Sequence, residues 1–385
     1  MIYGHIRKHK NKIIAVSVFF LFAVAYVTNV YACADNKIVS QNDVTVVMVG
    51  DVLMHDKLIA SGLQEDGTYN YDHLFSNVKE DIGSADIAIV NQETILGGKE
   101  LRLTGYPSFN SPYEVGDAEA DAGFDVILQG TNHALDRSAR GIENCLDFWE
   151  KFYPDIEVLG IHDSADDQRE LCIVECKGIK IAILNYTYGT NGIQMPKGKG
   201  YLVDYLDEKR VREDIARAEK EADITIVCPH WGTEYSLEAS DYQKKWAGIF
   251  LDCGADLCIG THPHVIEPIE ILKDDKDNKM PVYYSIGNFV NATSGQGKGV
   301  ANRMIGGMAE ITIARNKDGK AYVKETKVKP VVCHITDDSV TAYFLSDYNV
   351  RLARRNKIRF QDEDFSLDKC EELVDEIWGD EWVDG

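Results

Sequence analysis

The chain reads as an α/β domain in which a buried sheet carries the chemistry and a second sheet packs on it. Three observations predict this. Short apolar runs rich in β-branched residues alternate with helical stretches over most of the chain. Each run ends in a cluster of polar residues. Beyond residue 265 the alternation gives way to strand-like runs joined by turns such as Asn316-Lys317-Asp318-Gly319. Apolar strands separated by helices belong to sheets covered on both faces.

At the N-terminus, His5, Arg7, Lys8, Lys10 and Lys12 precede an apolar run at 13–27, with small residues at Ala32 and Ala34. This is the pattern of a secretory signal or an uncleaved signal anchor over residues 1–35. Residues 13–32 make about 20, enough to cross a bilayer. Basic flanks stay cytoplasmic, so everything after residue 35 is expected on the outer face of the cell membrane. Cys33, preceded by Val30 and Tyr31, fits a lipid-modified cysteine poorly.

The strands follow in order. Residues 44–49 end in Gly50-Asp51, and 87–90 in Asn91-Gln92-Glu93. Residues 126–128 lead into Gly130-Thr131-Asn132-His133, 224–227 into Pro229-His230-Trp231-Gly232, and 257–259 into Gly260-Thr261-His262-Pro263-His264. Helices are expected at 138–152, 207–221 and 240–252. Strands at 265–272, 281–286, 308–314 and 321–332 suggest a second, antiparallel sheet, so one domain spans 43–332. Residues 335–385 read as a peripheral helical tail. Within it, 362–384 carries eleven acids against Lys369 alone, the mark of a solvated segment.

Composition narrows the function. With 44% hydrophobic and 27% charged residues the chain is globular. A formal charge of −22 repels polyanions at long range and argues against a nucleic-acid partner. None of the nine cysteines forms a CxxC pair, so no zinc ribbon is expected and buried free thiols are.

Taken singly, each polar cluster has a plainer structural reading. Gly50-Asp51 serves equally as a turn, Glu93 or Asn132 as a cap, and His230 as a core residue. Taken together they do not, because five strand ends deliver Asp, Glu, Asn and His to one rim, where open α/β sheets bind ligands. His262 and His264 flank Pro263, which stiffens the loop between them. Asp136, three residues after His133, lies within reach of its ring and would fix its tautomer. Asp, Glu, Asn and three His without Cys suit Mn, Fe or Zn. Six ligands exceed one tetrahedral zinc. Two divalent ions sharing a carboxylate would use them all, and such a pair lowers the pKa of a shared water and clamps a phosphoryl oxygen.

Six motifs in order over about residues 43–332 carry a resemblance. They are Gly50-Asp51, Asn91-Gln92-Glu93, Asn132-His133 with Asp136, His230-Trp231-Gly232 with Glu234-Tyr235, Gly260-Thr261-His262-Pro263-His264, and Tyr284-Ser285-Ile286-Gly287-Asn288-Phe289. This series resembles the CapA family of poly-γ-glutamate capsule-biosynthesis proteins, within the calcineurin-like metallophosphoesterase superfamily. The resemblance implies a two-sheet β-sandwich flanked by helices. It implies Asp51 and His264 on a first metal, Glu93 as the bridge, and Asn132, His230 and His262 on a second. His133 matches the residue that protonates the leaving group. The wider superfamily places a His two residues after the first Asp. Here that position is Leu53, and His55 is the residue that would complete the site.

The expected function is an extracytoplasmic, metal-dependent phosphoesterase-type hydrolase in capsule or exopolymer assembly. It would act on an anionic polymer or phosphoester, with His133 and Asp136 catalytic and Glu234, Tyr235, Asn288 and Arg303 contacting substrate. The alternative is a non-catalytic factor that binds metal or polymer and supports a membrane polymer synthase. A peptidase using the same metals is a third reading, since a polarised water also attacks a carbonyl.

Overall fold

The computed structural model describes residues 42–383. The N-terminal signal or anchor and Cys33 lie outside the described residues. Among those described, no helix is long and apolar enough to cross a membrane.

The first sheet is centred on β1 (Val44–Leu53). On one side follow the parallel strands β2 (Ile87–Gln92), β3 (Val126–Leu128) and β4 (Glu157–Leu159). The second sheet runs β5 (Cys172–Cys176), β6 (Ile179–Thr187), β7 (Ile224–His230), β8 (Leu257–Ile259), then β10 (Lys279–Tyr283) and β9 (Ile269–Lys273) at its edge. Returning to the first sheet, β11 (Asn288–Asn291) pairs with the end of β1. Beyond β1 lie the antiparallel strands β12 (Ile305–Arg315), β13 (Ala321–Ile335) and β14 (Val340–Phe344).

The two sheets pack face to face. Val46, Met48, Ile89 and Ile127 of the first share a core with Ile181, Ile183, Ile226 and Ile259 of the second. Cys228 Sγ touches Met48 Sδ at 3.8 Å across the interface. Side chains alternate along a strand, so Val227 and Cys258 face outward and meet Val211, Ile215, Trp246 and Phe250 from the helices at 208–221 and 241–253. Each fully buried aliphatic side chain is worth about 1.5–3 kcal/mol. Ser240 and Gln243 form a reciprocal cap that starts the second of these helices close to its expected position. The expected two-sheet sandwich with flanking helices is therefore the fold found.

Two expectations need correction. The late strands do not make a separate antiparallel sheet. β12, β13 and β14 extend the first sheet, β9 and β10 extend the second, and both sheets are mixed. The core also continues past residue 332. β13 runs to Ile335 and β14 forms the sheet edge, while Ile358, Phe365, Cys370, Leu373 and Trp378 of the expected tail are buried. Trp378 lies against Gly307 so closely that a Cβ there would come within 2.7 Å of its ring, and its Nε1 donates to Glu267 O at 2.9 Å. The helix at 367–377 is amphipathic. Its acids face outward, while Cys370, Leu373 and Val374 recur at helical spacing and are buried. The eight cysteines described are all free, as expected.

Candidate metal centre

The carboxyl ends of β1, β2 and β3 in one sheet and of β6, β7 and β8 in the other meet at one rim. β1 changes register on both sides of Asp51, which turns that carboxylate out of the ladder. Gly50 makes this possible: a Cβ there would stand 1.9 Å from Gly287 O. Glu93 follows β2, and its N–H donates to Val52 O at 3.3 Å. Asn132 and His133 sit in the turn after β3, tied down by Thr131 Oγ1 donating to Glu93 O at 2.7 Å. His230 ends β7. His262 and His264 follow β8 with φ of 98° and 61°, a left-handed conformation that costs side chains energy and clusters at functional sites.

The side chains converge as the ligand pattern requires. His264 Nδ1 lies 3.1 Å from Asp51 Oδ2 and 3.6 Å from Glu93 Oε2. His230 Nε2 lies 3.6 Å from Glu93 Oε1 and 3.0 Å from Asn132 Oδ1. The His230 and His262 rings are 4.8 Å apart. Asp51, Glu93 and His264 form one group able to hold a metal ion, and Glu93, His230 and His262 form another. Glu93 is common to both, the position expected of a bridge. A third group joins Glu234 to His262 and His264, so Glu234, expected at the substrate, also stands within reach of a metal.

Whether these residues fit a cation is decided by Glu93. It is 0% exposed, and neither of its oxygens has a hydrogen-bond partner. A buried carboxylate so placed is costly without a cation. His262 Nδ1 is likewise buried and unpartnered. The donor set is mixed oxygen and nitrogen, which suits a borderline divalent ion. The residues fit.

The protonation pattern agrees. Burial raises the Asp51 carboxyl above its usual range, and the nearby Glu93 adds to this. Burial works to raise Glu93 too, but His264, His230 and His133 outweigh it and hold it low. Burial, with His230 and His264 beside it, keeps His262 neutral. Burial opposes the charge on His264, yet Glu93 and Asp51 bring its pKa up to about 9. Binding divalent ions would expel such protons, which couples metal affinity to pH.

Beside the cluster, His133 Nδ1 meets Asp136 Oδ2 at 2.7 Å, though in a turn; the helix begins only at Ser138. Asp136 Oδ2 also accepts from Phe109 N at 2.7 Å. The other ring nitrogen, Nε2, is 4.0 Å from Glu93 Oε1. His133 borders a cavity of about 610 Å³, also lined by Tyr106, Phe109, Asn191, Glu234, Tyr235 and Arg303.

Two expected residues sit differently. His55 borders the cavity, but it belongs to none of the metal-holding groups and packs edge-on against Phe109 at 5.2 Å. Burial pushes its pKa down to about 4. Leu53 is buried at the cavity wall, so a first metal would rest on Asp51, Glu93 and His264. Asn288 is fully buried behind His264: its Oδ1 lies 3.1 Å from His264 Nδ1, and its Nδ2 donates to His264 O and Arg303 O. Its amide is engaged by His264 and by the Arg303 backbone.

Sequence reasoning missed Asn191, Tyr188 and Phe109. Asn191 Nδ2 lies 3.4 Å from His133 Nδ1, the Tyr188 ring 4.7 Å from His262, and the Phe109 ring 4.6 Å from His133. The first two follow β6, a sixth strand ending at this rim, whose end carries no Asp, Glu or His.

A two-sheet sandwich with carboxylates and imidazoles gathered at its strand ends defines an α/β protein with groups able to hold metal ions. Residues 45–293, well over half the chain, match the family described as "Bacterial capsule synthesis protein PGA_cap", and the chain belongs to that family. It is 27% identical over 294 residues to "PGA biosynthesis protein CapA" of Bacillus subtilis (strain 168), covering 74% of this chain and 73% of that one. It is also 27% identical over 280 residues to "Capsule biosynthesis protein CapA" of Bacillus anthracis, covering 70% of this chain and 65% of that one. Among solved structures it is similar to a 5'-nucleotidase precursor from Thermus thermophilus, with a TM-score of 0.46 and 13% identity over 75% of this chain and 54% of that one. It is similar as well to the NAD nucleotidase of Haemophilus influenzae, with a TM-score of 0.47 and 13% identity over 87% of this chain and 66% of that one.

Proposed function

We propose that this chain is a divalent-metal-dependent phosphoesterase-type hydrolase that acts on an anionic polymer or phosphoester during capsule synthesis. The observation that carries this is His133, backed by Asp136, at the edge of a metal-competent cluster that opens into a cavity. Asp51, Glu93 and His264 would hold one ion, and Glu93, Asn132, His230 and His262 the other. When bound, the ions supply a lowered water pKa and polarisation of a phosphoryl oxygen.

The chain's own residues do the rest. Nδ1–H of His133 donates to Asp136 Oδ2, so the charged, doubly protonated ring would carry its transferable proton on Nε2. His133 gives that proton to the leaving oxygen, and Asp136 stabilises the charged ring before transfer. Phe109 packs against the imidazole and Asn191 reaches its edge, so the ring is held in one orientation. A panel of phosphomonoesters, phosphodiesters and γ-glutamyl peptides, assayed with residues 36–385 and added Mn²⁺, tests the reading. Turnover of a phosphoester is expected. Turnover of the peptides alone would make the chain a peptidase.

Leu53 favours a second reading, a non-catalytic assembly factor serving a membrane polymer synthase. On that reading no substrate of the panel turns over, although metal is retained. The basic flank before residue 13 supports anchoring with the domain outside. Protease added to intact cells should then reach the domain, and cleavage only after lysis would contradict that orientation.

A further inference from the structure

Arg303 lines the cavity, and among the described residues its guanidinium contacts the Tyr235 ring and Thr293 with no ion pair to a carboxylate. Its guanidinium stacks on the Tyr235 ring, 3.5 Å from the centroid. That ring in turn lies 6.0 Å from the ring of His264. Arg303 therefore stands one aromatic ring away from a metal ligand. Its backbone is held there as well, because the Asn288 amide that contacts His264 also donates to Arg303 O at 2.9 Å.

The surroundings keep the guanidinium in this place. Nη1 donates to Thr293 Oγ1 at 2.9 Å. Gly295 passes so close that a Cβ there would sit 2.9 Å from Nη1. Nε is buried with no partner at all. Tyr235 itself has a φ of 67°, a left-handed backbone for an aromatic residue, maintained by its N–H donating to Pro263 O at 2.8 Å between the two ligand histidines. Strain of this kind persists where surrounding structure enforces it, and it clusters at ligand clamps. Here it sets the platform beneath the guanidinium.

Nε is closed off, but Nη2 and the second proton of Nη1 carry no hydrogen bond among the described residues, so the fixed guanidinium can still present a fork to an oxyanion. We propose that Arg303, stacked on Tyr235, is the docking site for a second anionic group of the substrate, a carboxylate. Preferred substrates then carry this carboxylate one ring-width from the group that meets the metal cluster. One guanidinium balances one unit of charge, which favours a carboxylate over a phosphate dianion. In a chain of net charge −22, a local fork of this kind gives an anionic substrate a place to bind. The proposal rests on the hydrolase reading for its catalytic consequence but not for the binding itself.

The test compares wild type with Arg303→Met, which keeps an apolar stem over Tyr235, and Arg303→Lys, which keeps the charge without the fork. With full-length, Mn²⁺-loaded protein, kcat/KM is measured for phenyl phosphate and for 3- and 4-carboxyphenyl phosphate. Wild type should prefer a carboxylated ester, and in Arg303→Met that preference should fall by about 10- to 100-fold, mainly through KM. Arg303→Lys should be intermediate. A preference unchanged in Arg303→Met, or absent from wild type, overturns the proposal. Calorimetric titration with glutarate separates the two ideas. If no ester turns over but glutarate binding is at least about tenfold weaker in Arg303→Met, the hydrolase reading fails and the carboxylate site stands. Glutarate binding that is equal in the two proteins, or undetectable in both, overturns the site.

Discussion

Two histidine–carboxylate clusters in this molecule differ in burial and in bonding: Asp167 beside His162 is partly exposed, whereas Glu93 is fully buried among its imidazoles. At His162, Nε2 meets Asp204 Oδ2 at 2.7 Å and Nδ1 meets Asp167 Oδ2 at 3.1 Å. Asp204 Oδ1 is taken by Gln168 at 2.8 Å and by Arg210 at 3.2 Å. At Glu93 three imidazoles stand nearby, at 3.6 Å or more, and neither carboxylate oxygen is hydrogen-bonded. The first cluster is satisfied by the protein alone and ties the segment after β4 to the one before the helix at 208–221. The second is left open. A network whose bonds are all satisfied is structural, whereas a buried carboxylate that accepts no hydrogen bond and is shared by two groups of imidazole and carboxylate ligands is suited to a cation.

The contrast can be sharpened by breaking each cluster. The largest effect is expected at the open one, on turnover. His133→Ala should retain metal and fold, because Asn132 and not His133 is the expected ligand, yet lose roughly 10²–10⁴-fold in kcat. Asp136→Asn should lose less, since Asp136 orients and stabilises the imidazolium without transferring the proton. Both losses should shrink for esters with good leaving groups. Equal rates in His133→Ala and wild type would remove the general acid from the account.

A smaller effect, on stability, is expected at the closed cluster. Burial opposes the charge on His162, but bonds to Asp167 and Asp204 bring its pKa up to about 9. Its folded pKa exceeds the unfolded value of about 6.5. Its stabilising contribution is therefore complete below about pH 6.5 and disappears as pH rises through about 9. His162→Asn should lower Tm by several degrees at pH 6 and by much less at pH 9.5. A gap between the two proteins that does not depend on pH would show that packing, and not the charge on His162, provides the stability.

Much of the open cluster was legible in the sequence because each ligand follows its own strand within a few residues. Asp51, Glu93, Asn132, His230 and the His262–His264 pair could be read as candidates once the five strand ends were taken together. What depended on long-range pairing could not. Nothing in residues 308–332 says that the antiparallel pair they form also joins β1. The acids of 362–384 hid the spacing of Cys370, Leu373 and Trp378. Asn288 lies in a motif expected at the substrate, and the sequence does not show that its amide is engaged by His264 and Arg303. His55 was close to the ligands in sequence but turned toward Phe109. Asn191 and Tyr188 carry no strong titratable signal, and only the meeting of the two sheets brings them to the rim.

On this account the buried Glu93 carboxylate, which accepts no hydrogen bond and is shared by two metal-competent groups, marks a metal centre. Metal content measured by mass spectrometry on purified wild type and Glu93→Gln, both prepared with Mn²⁺, Fe²⁺ and Zn²⁺ supplied, tests it most directly. Wild type should retain up to two transition-metal ions per chain, and Glu93→Gln, folded by circular dichroism, should retain far less. Wild type that holds no transition metal, or Glu93→Gln that holds as much as wild type, would contradict the account.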